Sequence, residues 1–448
     1  MQHCKEKRPS SENPSLRSLA LAFGRDVRLR RIFLLGLASG FPWLLIGSAM
    51  TAWLKDEGLT RSAITLFGAV FVVYTVNFLW APLVDHVRLP GLHRLGHRRS
   101  WIVLCQAMMI GLTVLLAVSG PALSLWLTAA LALGIAISSA TQDLAIDAYR
   151  ITIIGEDEPE LIGHGAAMAT CGWWTGNLLP GTVAFWLVAP LGWPLVYLLL
   201  TGVIAAIMAL VVFLFREPAT TARSSTWKGA SWREWLERTY IDAVAEFFRR
   251  NGVALAFGLL AFIFLFKVGE AFLGRTVILF YKEVGFSDAD IGTYSKGLGW
   301  FVIVPCSIAA GIFAGRFGVV RGLLFAGVAM AATNLLFSWI AVAGPDTRLF
   351  SLAVIADGIT SAFSTVAFVT FISYYTSRLH TAAQYGALAS LGNSSRTLLA
   401  ASSGMVVDGL GGDWALFFVL TAVMVLPSLA VLVWIARRVA VKVPSGSG

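Results

Sequence analysis

The feature that most constrains this chain is a series of apolar runs, each long enough to cross a membrane as an α-helix. Such a helix needs about 20 mainly apolar residues to span a hydrocarbon core of about 30 Å. The runs are 32–54, 62–84, 101–119, 123–148, 163–188, 194–215, 253–281, 291–314, 321–343, 349–377, 385–408 and 414–436. Only 13% of the 448 residues are charged and 57% are hydrophobic, which excludes an ordinary soluble protein. The sequence therefore predicts an all-α integral membrane protein with about 12 transmembrane helices.

The positive charges predict the orientation of this bundle. Of the 34 Lys and Arg residues, 26 lie in the two termini and in the segments on one side of the predicted spans, whereas four lie on the other side. Cytoplasmic segments carry the excess of Lys and Arg. We therefore expect both termini in the cytoplasm. The same distribution favours contacts with membrane lipid and argues against nucleic acid as the partner of this basic chain.

The longest polar segment divides the chain into two groups of six spans. We predict a basic tail over 1–31, an N-terminal half over 32–215, a linker over 216–252, a C-terminal half over 253–436 and a second tail over 437–448. Ser231 and Glu234 form a capping-box pattern ahead of apolar residues at helical spacing, which predicts an interfacial helix in the linker.

An internal repeat supports this division. The segment Trp53–Ile64 resembles Phe280–Ile291, and each segment joins the first and second spans of its half. Thr60 and Ser287 occupy the expected N-cap positions of the following helices. Two parallel halves of six spans are the architecture of major facilitator transporters, in which the substrate binds between the halves near mid-membrane.

Four segments extend the comparison to one family. They are Phe78–Asp85 with the basic turn His97–Trp101, then Ser139–Tyr149, Lys267–Phe272 and Ser295–Gly299. In order and spacing they resemble the AmpG-type permeases, in the peptide and acetyl-CoA transporter branch of the major facilitators. The Gln-Asp-x-x-x-Asp-Ala pattern within Ser139–Tyr149 is the most specific of them.

The resemblance implies a secondary transporter that uses protons to import anhydromuropeptides, and we expect the protein to be a monomer. The substrate would cross the bacterial inner membrane during peptidoglycan recycling, a process linked to β-lactamase induction. We expect no cofactor, no metal and no catalytic residue. The best-known muropeptide permeases carry two further C-terminal spans, whereas this chain has twelve predicted spans. Shorter relatives include siderophore permeases, and a eukaryotic relative carries acetyl-CoA, so these are the alternative substrates.

Charged residues within the spans are the candidate functional residues, because a charge at the bilayer centre costs roughly 2.5–3.5 kcal/mol even on the lenient insertion scale. Asp143 and Asp147 lie one turn apart on the fourth span and are candidate proton carriers. For Asp147, pairing with Arg150 is the favoured alternative. Lys267 and Glu270 are spaced to pair with each other or to contact substrate.

Further polar and aromatic residues within the spans are candidates for contact with the substrate. Arg396 has no acid nearby in sequence and is a candidate for a substrate carboxylate or phosphate, with Glu270 or Asp357 as alternative partners. Gln142 and Asn393 are candidates for hydrogen bonds to sugar or peptide groups, although bonds between helices are the commoner role. Trp173, with Trp174 and Trp300, could stack on sugar rings or face lipid. Lys296 and Arg275 are expected to extend toward the membrane surface.

The loop after the second span is the candidate conformational latch. By resemblance to the family, Asp85 and the basic residues that include Arg98 and Arg99 would close this latch, and a plain membrane anchor is the alternative. A membrane enzyme is the rival class, because the spacing of Asp143 and Asp147 faintly resembles an aspartate motif of membrane prenyltransferases. Neither H-E-x-x-H nor G-x-S-x-G occurs, and the matching region of the second half has no acid. We therefore predict a non-enzyme.

Overall fold

A computed structural model describes residues 26–153, 159–215, 241–317, 319–375 and 381–442. We number the membrane helices α1–α12. The first six are α1 Val27–Asp56, α2 Arg61–Trp80, α3 His97–Leu123, α4 Leu125–Ile153, α5 159–191 and α6 193–214. The others are α7 Val253–Val284, α8 288–317, α9 Val319–Ala343, α10 Thr347–Tyr375, α11 381–409 and α12 414–442.

The prediction of an all-α membrane protein is confirmed. In the described part of the chain, nine continuous helical stretches are long and apolar enough to cross a membrane. One of them, Ala167–Leu214, bends at Gly192, whose φ of 74° and ψ of 161° lie outside the helical region, so it forms both α5 and α6. α8 and α11 contain irregular turns and complete the set of twelve.

Two groups of helices pack around a shared interface. Within the first group α1 packs on α5 and α3 on α4, and within the second α9 packs on α10 and α12. The groups meet where α5 contacts α8, where α2 contacts α11 and where α1 contacts α7. In the first two contacts the fifth helix of one half, α5 or α11, packs on the second helix of the other half, α8 or α2. This arrangement places a cavity on the axis between them.

The close packing of α1 on α5 depends on glycine. A Cβ on Gly36 would lie 2.5 Å from the carbonyl oxygen of Ala169, and one on Gly40 would overlap the backbone of Trp173. On the facing helix, Gly172 and Gly176 are equally tight against α1. The glycines therefore allow the two backbones to touch, with Gly40 against the backbone of Trp173.

Both predicted N-caps are present. The Thr60 hydroxyl accepts a hydrogen bond from the Ala63 amide at the start of α2. Ser287 forms a full capping box with Asp290 at the start of α8. In the linker, a helix covers Asp242–Asn251, whereas the predicted capping pair Ser231 and Glu234 lies outside the described residues.

Candidate functional site

The helices enclose a cavity of about 180 Å³ between the two halves. Helices α1, α2, α5, α7 and α11 all contribute to its wall. The lining residues are Trp43, Gly47, Ser48, Thr51, Phe71, Tyr74, Trp173, Trp174, Asn177, Glu270, Ala271, Gly274, Arg275, Ile278, Asn393, Arg396 and Thr397. Ligand pockets commonly measure about 300–1,000 Å³, so a large solute requires this cavity to widen.

One wall of the cavity is aromatic. The ring of Trp43 lies 4.4 Å from that of Phe71 and 5.8 Å from that of Trp173, measured between centroids. Trp174 follows, with its ring 4.9 Å from that of Trp173 in an edge-to-face arrangement. Trp173 therefore lines the cavity, and Trp43 and Trp174 extend the same surface, whereas substrate binding by Trp173 stays a prediction. Flat apolar faces of this kind can stack on a sugar ring.

The facing wall is polar and charged. Asn393 and Arg396 lie in α11, and both are exposed toward the cavity. Arg396 belongs to a π-helical turn, Ser395–Leu399, in a helix that is otherwise largely α-helical. Such turns rotate the following side chains away from the regular helical register and are frequent at functional sites. Ser48 lies in a similar turn of α1, Leu44–Ala49.

The pair predicted from the i, i+3 spacing on α7 is present. The Lys267 ammonium lies 2.6 Å from a Glu270 carboxylate oxygen and donates also to the hydroxyls of Ser364 and Thr365 on α10. Glu270 lines the cavity, whereas Lys267 is buried behind it and is not among the lining residues. Glu270 is therefore the member of the pair that a ligand can reach directly.

Arg275 and Lys296 do not extend to the membrane surface, so that expectation was wrong. Arg275 lines the cavity, with its guanidinium carbon 4.8 Å from the centre of the Phe71 ring. Lys296 is buried and donates a hydrogen bond of 2.5 Å to the Ser48 hydroxyl on α1. Both side chains point inward between the halves because each finds a polar or aromatic partner there. Glu270, Gly274 and Ile278 line the cavity at four-residue spacing, and Arg275 follows on the same side of α7.

The two aspartates of α4 have different surroundings. Asp143 lies beside Ser39, with Tyr74 and Cys105 as ionisable neighbours, and its Oδ1 atom is buried with no hydrogen-bond partner in the described structure. Tyr74 itself lines the cavity. Asp143 is thus one side chain removed from the cavity. Asp147 pairs with Arg150 at 2.9 Å and is 64% exposed, which is the arrangement favoured for it above.

Two other predicted residues lie apart from the cavity. Gln142 is fully buried, and its amide nitrogen donates to the carbonyl oxygen of Ala38, 3.1 Å away, which joins α4 to α1. Arg99 is buried and donates to the carbonyl oxygens of Leu95, Val211 and Val212, which joins α3 to the end of α6. The side chain of Asp85 lies outside the described residues, so the latch stays a prediction. Arg98 is near Arg99 in sequence but not among the cavity residues.

A network of charges closes one end of the interface. The Lys55 ammonium lies 2.6 Å from the Glu283 carboxylate, and the Lys282 ammonium lies 2.7 Å from the Asp56 carboxylate. In the internal repeat Lys55 corresponds to Lys282, and Asp56 corresponds to Glu283. The lysine of each half therefore pairs with the acidic residue of the other half. We call the end of the bundle formed by residues 55–62, 282–290 and 408–414 the ion-pair face.

Further contacts reinforce the ion-pair face. Arg61 of α2 contacts Glu283 at 2.8 Å and Asp408 of α11 at 3.2 Å, and the Ser62 hydroxyl also donates to Asp408. Trp414 donates to Glu283 over 2.9 Å. Sequence reasoning missed this network. The internal repeat does make Lys55 equivalent to Lys282 and Asp56 equivalent to Glu283, so each half carries a basic residue followed by an acidic one. The halves are therefore held together at this end.

The class of protein follows from this geometry and from solved structures with the same fold. The chain superimposes on a POT family transporter solved with 5-aminolevulinic acid with a TM-score of 0.68, at 13% identity over 91% of this chain and 96% of that one. For a D-xylose–proton symporter the TM-score is 0.66, at 12% identity over 90% and 96%. The fold is that of the major facilitator superfamily, which agrees with the membrane-spanning helices of this chain.

Sequence relatives narrow the class. An uncharacterized protein of Haemophilus influenzae is 30% identical over 408 residues, which are 90% of this chain and 92% of that protein. A Rickettsia felis protein named as transporter AmpG 4 is 28% identical over 93% of this chain and 98% of its own length. The anhydromuropeptide permease of Escherichia coli K12 is 28% identical over 90% and 78%. No protein-family model matches the chain. The chain belongs to the family of AmpG-type permeases.

Proposed function

We propose that this transporter imports anhydromuropeptides across the bacterial inner membrane, with both termini in the cytoplasm and with uptake driven by protons. The observation that carries the substrate proposal is the cavity, which places the rings of Trp43, Trp173 and Trp174 beside the cationic side chains of Arg275 and Arg396. A sugar that bears a carboxylated peptide matches both walls. The name of the Escherichia coli relative supports the same substrate class.

Proton coupling is assigned to Asp143. One oxygen of its carboxyl group is buried without a hydrogen-bond partner in the described structure, and the side chain is close to Tyr74, which reaches the cavity. A carboxyl group in such a place binds a proton more readily when it is enclosed and releases it when water enters. Asp143 would then bind a proton from the periplasmic side when the cavity faces outward and release it to the cytoplasm when the cavity faces inward. The substrate would cross the membrane in the same step.

Uptake into proteoliposomes tests this proposal. We expect a pH gradient to drive accumulation of N-acetylglucosaminyl-anhydro-N-acetylmuramyl tripeptide, and an uncoupler to abolish it. Asp143→Asn should lose gradient-driven accumulation while keeping exchange of substrate across the membrane. Asp147→Asn is the matched control and should accumulate substrate, because Asp147 is exposed and paired with Arg150.

The competing substrates are part of the same experiment. Transport of a ferric siderophore or of acetyl-CoA, with no transport of the muropeptide, would overturn the substrate assignment. Accumulation of muropeptide by Asp143→Asn at the wild-type rate would remove Asp143 from the coupling mechanism. Accumulation by the wild type that ignores the uncoupler would remove proton coupling.

A further inference from the structure

Arg275 lies in a slot that the opposite half of the protein provides. It belongs to α7, yet its guanidinium group stacks over Phe71 of α2, with 4.8 Å between the guanidinium carbon and the ring centre. A Cβ atom on Gly68, one turn before Phe71, would overlap this guanidinium group. The missing side chain of Gly68 therefore leaves the room that Arg275 occupies, and the aromatic face supplies a cation–π contact.

The cavity wall has more positive charge than its own acids neutralise. In the described part of the chain, ion pairing commits Glu270 to Lys267, and neither Arg275 nor Arg396 forms an ion pair. The Nε atom of Arg275 is buried and has no hydrogen-bond partner there. Burying part of the Arg275 guanidinium group without an acid partner is unfavourable unless an anion accompanies it, and Arg396 adds a second, more accessible positive charge to the same cavity.

Geometry also favours a carboxylate as that anion. A guanidinium group presents a planar set of N–H donors that matches the two oxygens of a carboxylate, which an ammonium group cannot do. Arg275 rises from α7, and Arg396 faces the same cavity from α11. The aromatic wall of Trp43, Trp173 and Trp174 is available to stack on an uncharged sugar ring of the same substrate.

We propose that Arg275 and Arg396 form a two-arginine clamp that binds the carboxylates of the substrate and selects acidic over neutral forms of it. This inference rests on the proposed function, because it assigns the charged part of that substrate to two named side chains. An anion held by Arg275 would lie against Phe71, and thus between α7 of one half and α2 of the other.

The experiment compares two probes that differ only in charge. One is N-acetylglucosaminyl-anhydro-N-acetylmuramyl tripeptide, and the other is the same compound with its peptide carboxylates converted to amides. Binding of each to the purified protein in detergent is measured by calorimetry. We expect the wild type to bind the acid about 30- to 100-fold more tightly than the amide, since two arginine–carboxylate contacts of nearly tenfold each multiply to at most about 100-fold.

Substitutions should change this preference rather than binding as a whole. Arg275→Gln and Arg396→Gln should each lower the ratio of the two affinities about tenfold, with little effect on the amide. Arg275→Lys should give an intermediate ratio, because it keeps the charge and loses the planar donors. Gly68→Ala should lower the ratio by displacing the Arg275 guanidinium, whereas the control Gly111→Ala should not, because a Cβ there meets open space.

The outcomes separate the two proposals. A wild type that binds the acid tightly, with an unchanged ratio in Arg275→Gln and in Gly68→Ala, would refute the clamp and leave muropeptide transport standing. A wild type that binds neither probe would refute the muropeptide assignment, and the clamp for this substrate with it. Equal loss of both probes in Arg275→Gln would assign Arg275 a structural role and also refute the clamp.

Discussion

The crossed ion pairs predict that Glu283→Gln will open the interface at the ion-pair face. The Glu283 carboxylate, only 11% exposed, accepts from Lys55 and Arg61 of the other half at 2.6 and 2.8 Å. Hydrogen bonds to charged groups contribute about 1.5–3 kcal/mol, and partial exposure of both cations moves each contact toward the lower value. Losing the charge therefore costs the closed state about 2–3 kcal/mol. Since 1.4 kcal/mol is tenfold, we expect the ratio of open to closed protein to rise roughly 30- to 140-fold.

Thiol labelling measures this ratio. Thr51 lines the cavity and lies one turn from Lys55, so Thr51→Cys in a chain without other cysteines reports access from the ion-pair face. A membrane-impermeant thiol reagent is added to vesicles of each orientation. Glu283→Gln should speed labelling from the ion-pair face and slow it from the opposite side, because one equilibrium governs both.

Glu57→Gln provides the matched control. Glu57 accepts a hydrogen bond of 3.0 Å from Trp53 of its own helix, so the same chemical change there should not alter contacts between the halves. Restoring the pair in reversed order, with Lys55→Glu and Glu283→Lys together, should recover part of the slow labelling. Labelling rates in Glu283→Gln that match those of the wild type and of Glu57→Gln would show that this network does not hold the interface closed.

Three further predictions concern packing and orientation. Gly40→Ala should destabilise the protein by about 2 kcal/mol or more through overlap with α5, while Gly202→Ala, where a Cβ meets open space, should leave the melting temperature nearly unchanged. Arg99→Gln should lower the melting temperature by removing contacts to three carbonyl oxygens, and normal melting would return Arg99 to the latch hypothesis. Reporter fusions at positions 90, 230 and 445 should report cytoplasm and one at position 285 periplasm, since any reversal contradicts the charge-based orientation.

The sequence was informative where a local rule decides the structure. Thr60 and Ser287 begin their helices as the capping pattern predicts, and Lys267 pairs with Glu270 as helical spacing predicts. These contacts depend on residues a few positions apart. The run lengths likewise suffice to predict the fold class, because a lipid environment allows few alternatives to a helix bundle.

It was less informative where the outcome depends on the packing of distant helices. Arg275 could have reached the membrane surface, and its inward position requires Gly68 and Phe71 of another helix. Gln142 likewise contacts the backbone of α1, which no feature of α4 alone determines. Even the crossed pairs of the ion-pair face needed knowledge that the repeat segments meet across the axis between the halves.

Two buried lysines provide a prediction in which similar substitutions should have opposite effects. Lys296 is 6% exposed, its hydrogen bond goes to the Ser48 hydroxyl, and no carboxylate pairs with it in the described structure. Lys267 is 3% exposed and neutralises Glu270. Replacing Lys296 with Met removes a buried charge that has no carboxylate partner in the described structure, and should raise the melting temperature by an amount equivalent to about 1 kcal/mol or more, because the desolvation cost of that charge disappears. Lys267→Met leaves Glu270 charged and unpaired, and should destabilise by about 3–5 kcal/mol.

If Lys296→Met also impairs uptake, the buried charge is retained for transport at a cost in stability. A melting temperature that falls equally in both variants would contradict the different partners seen for the two ammonium groups.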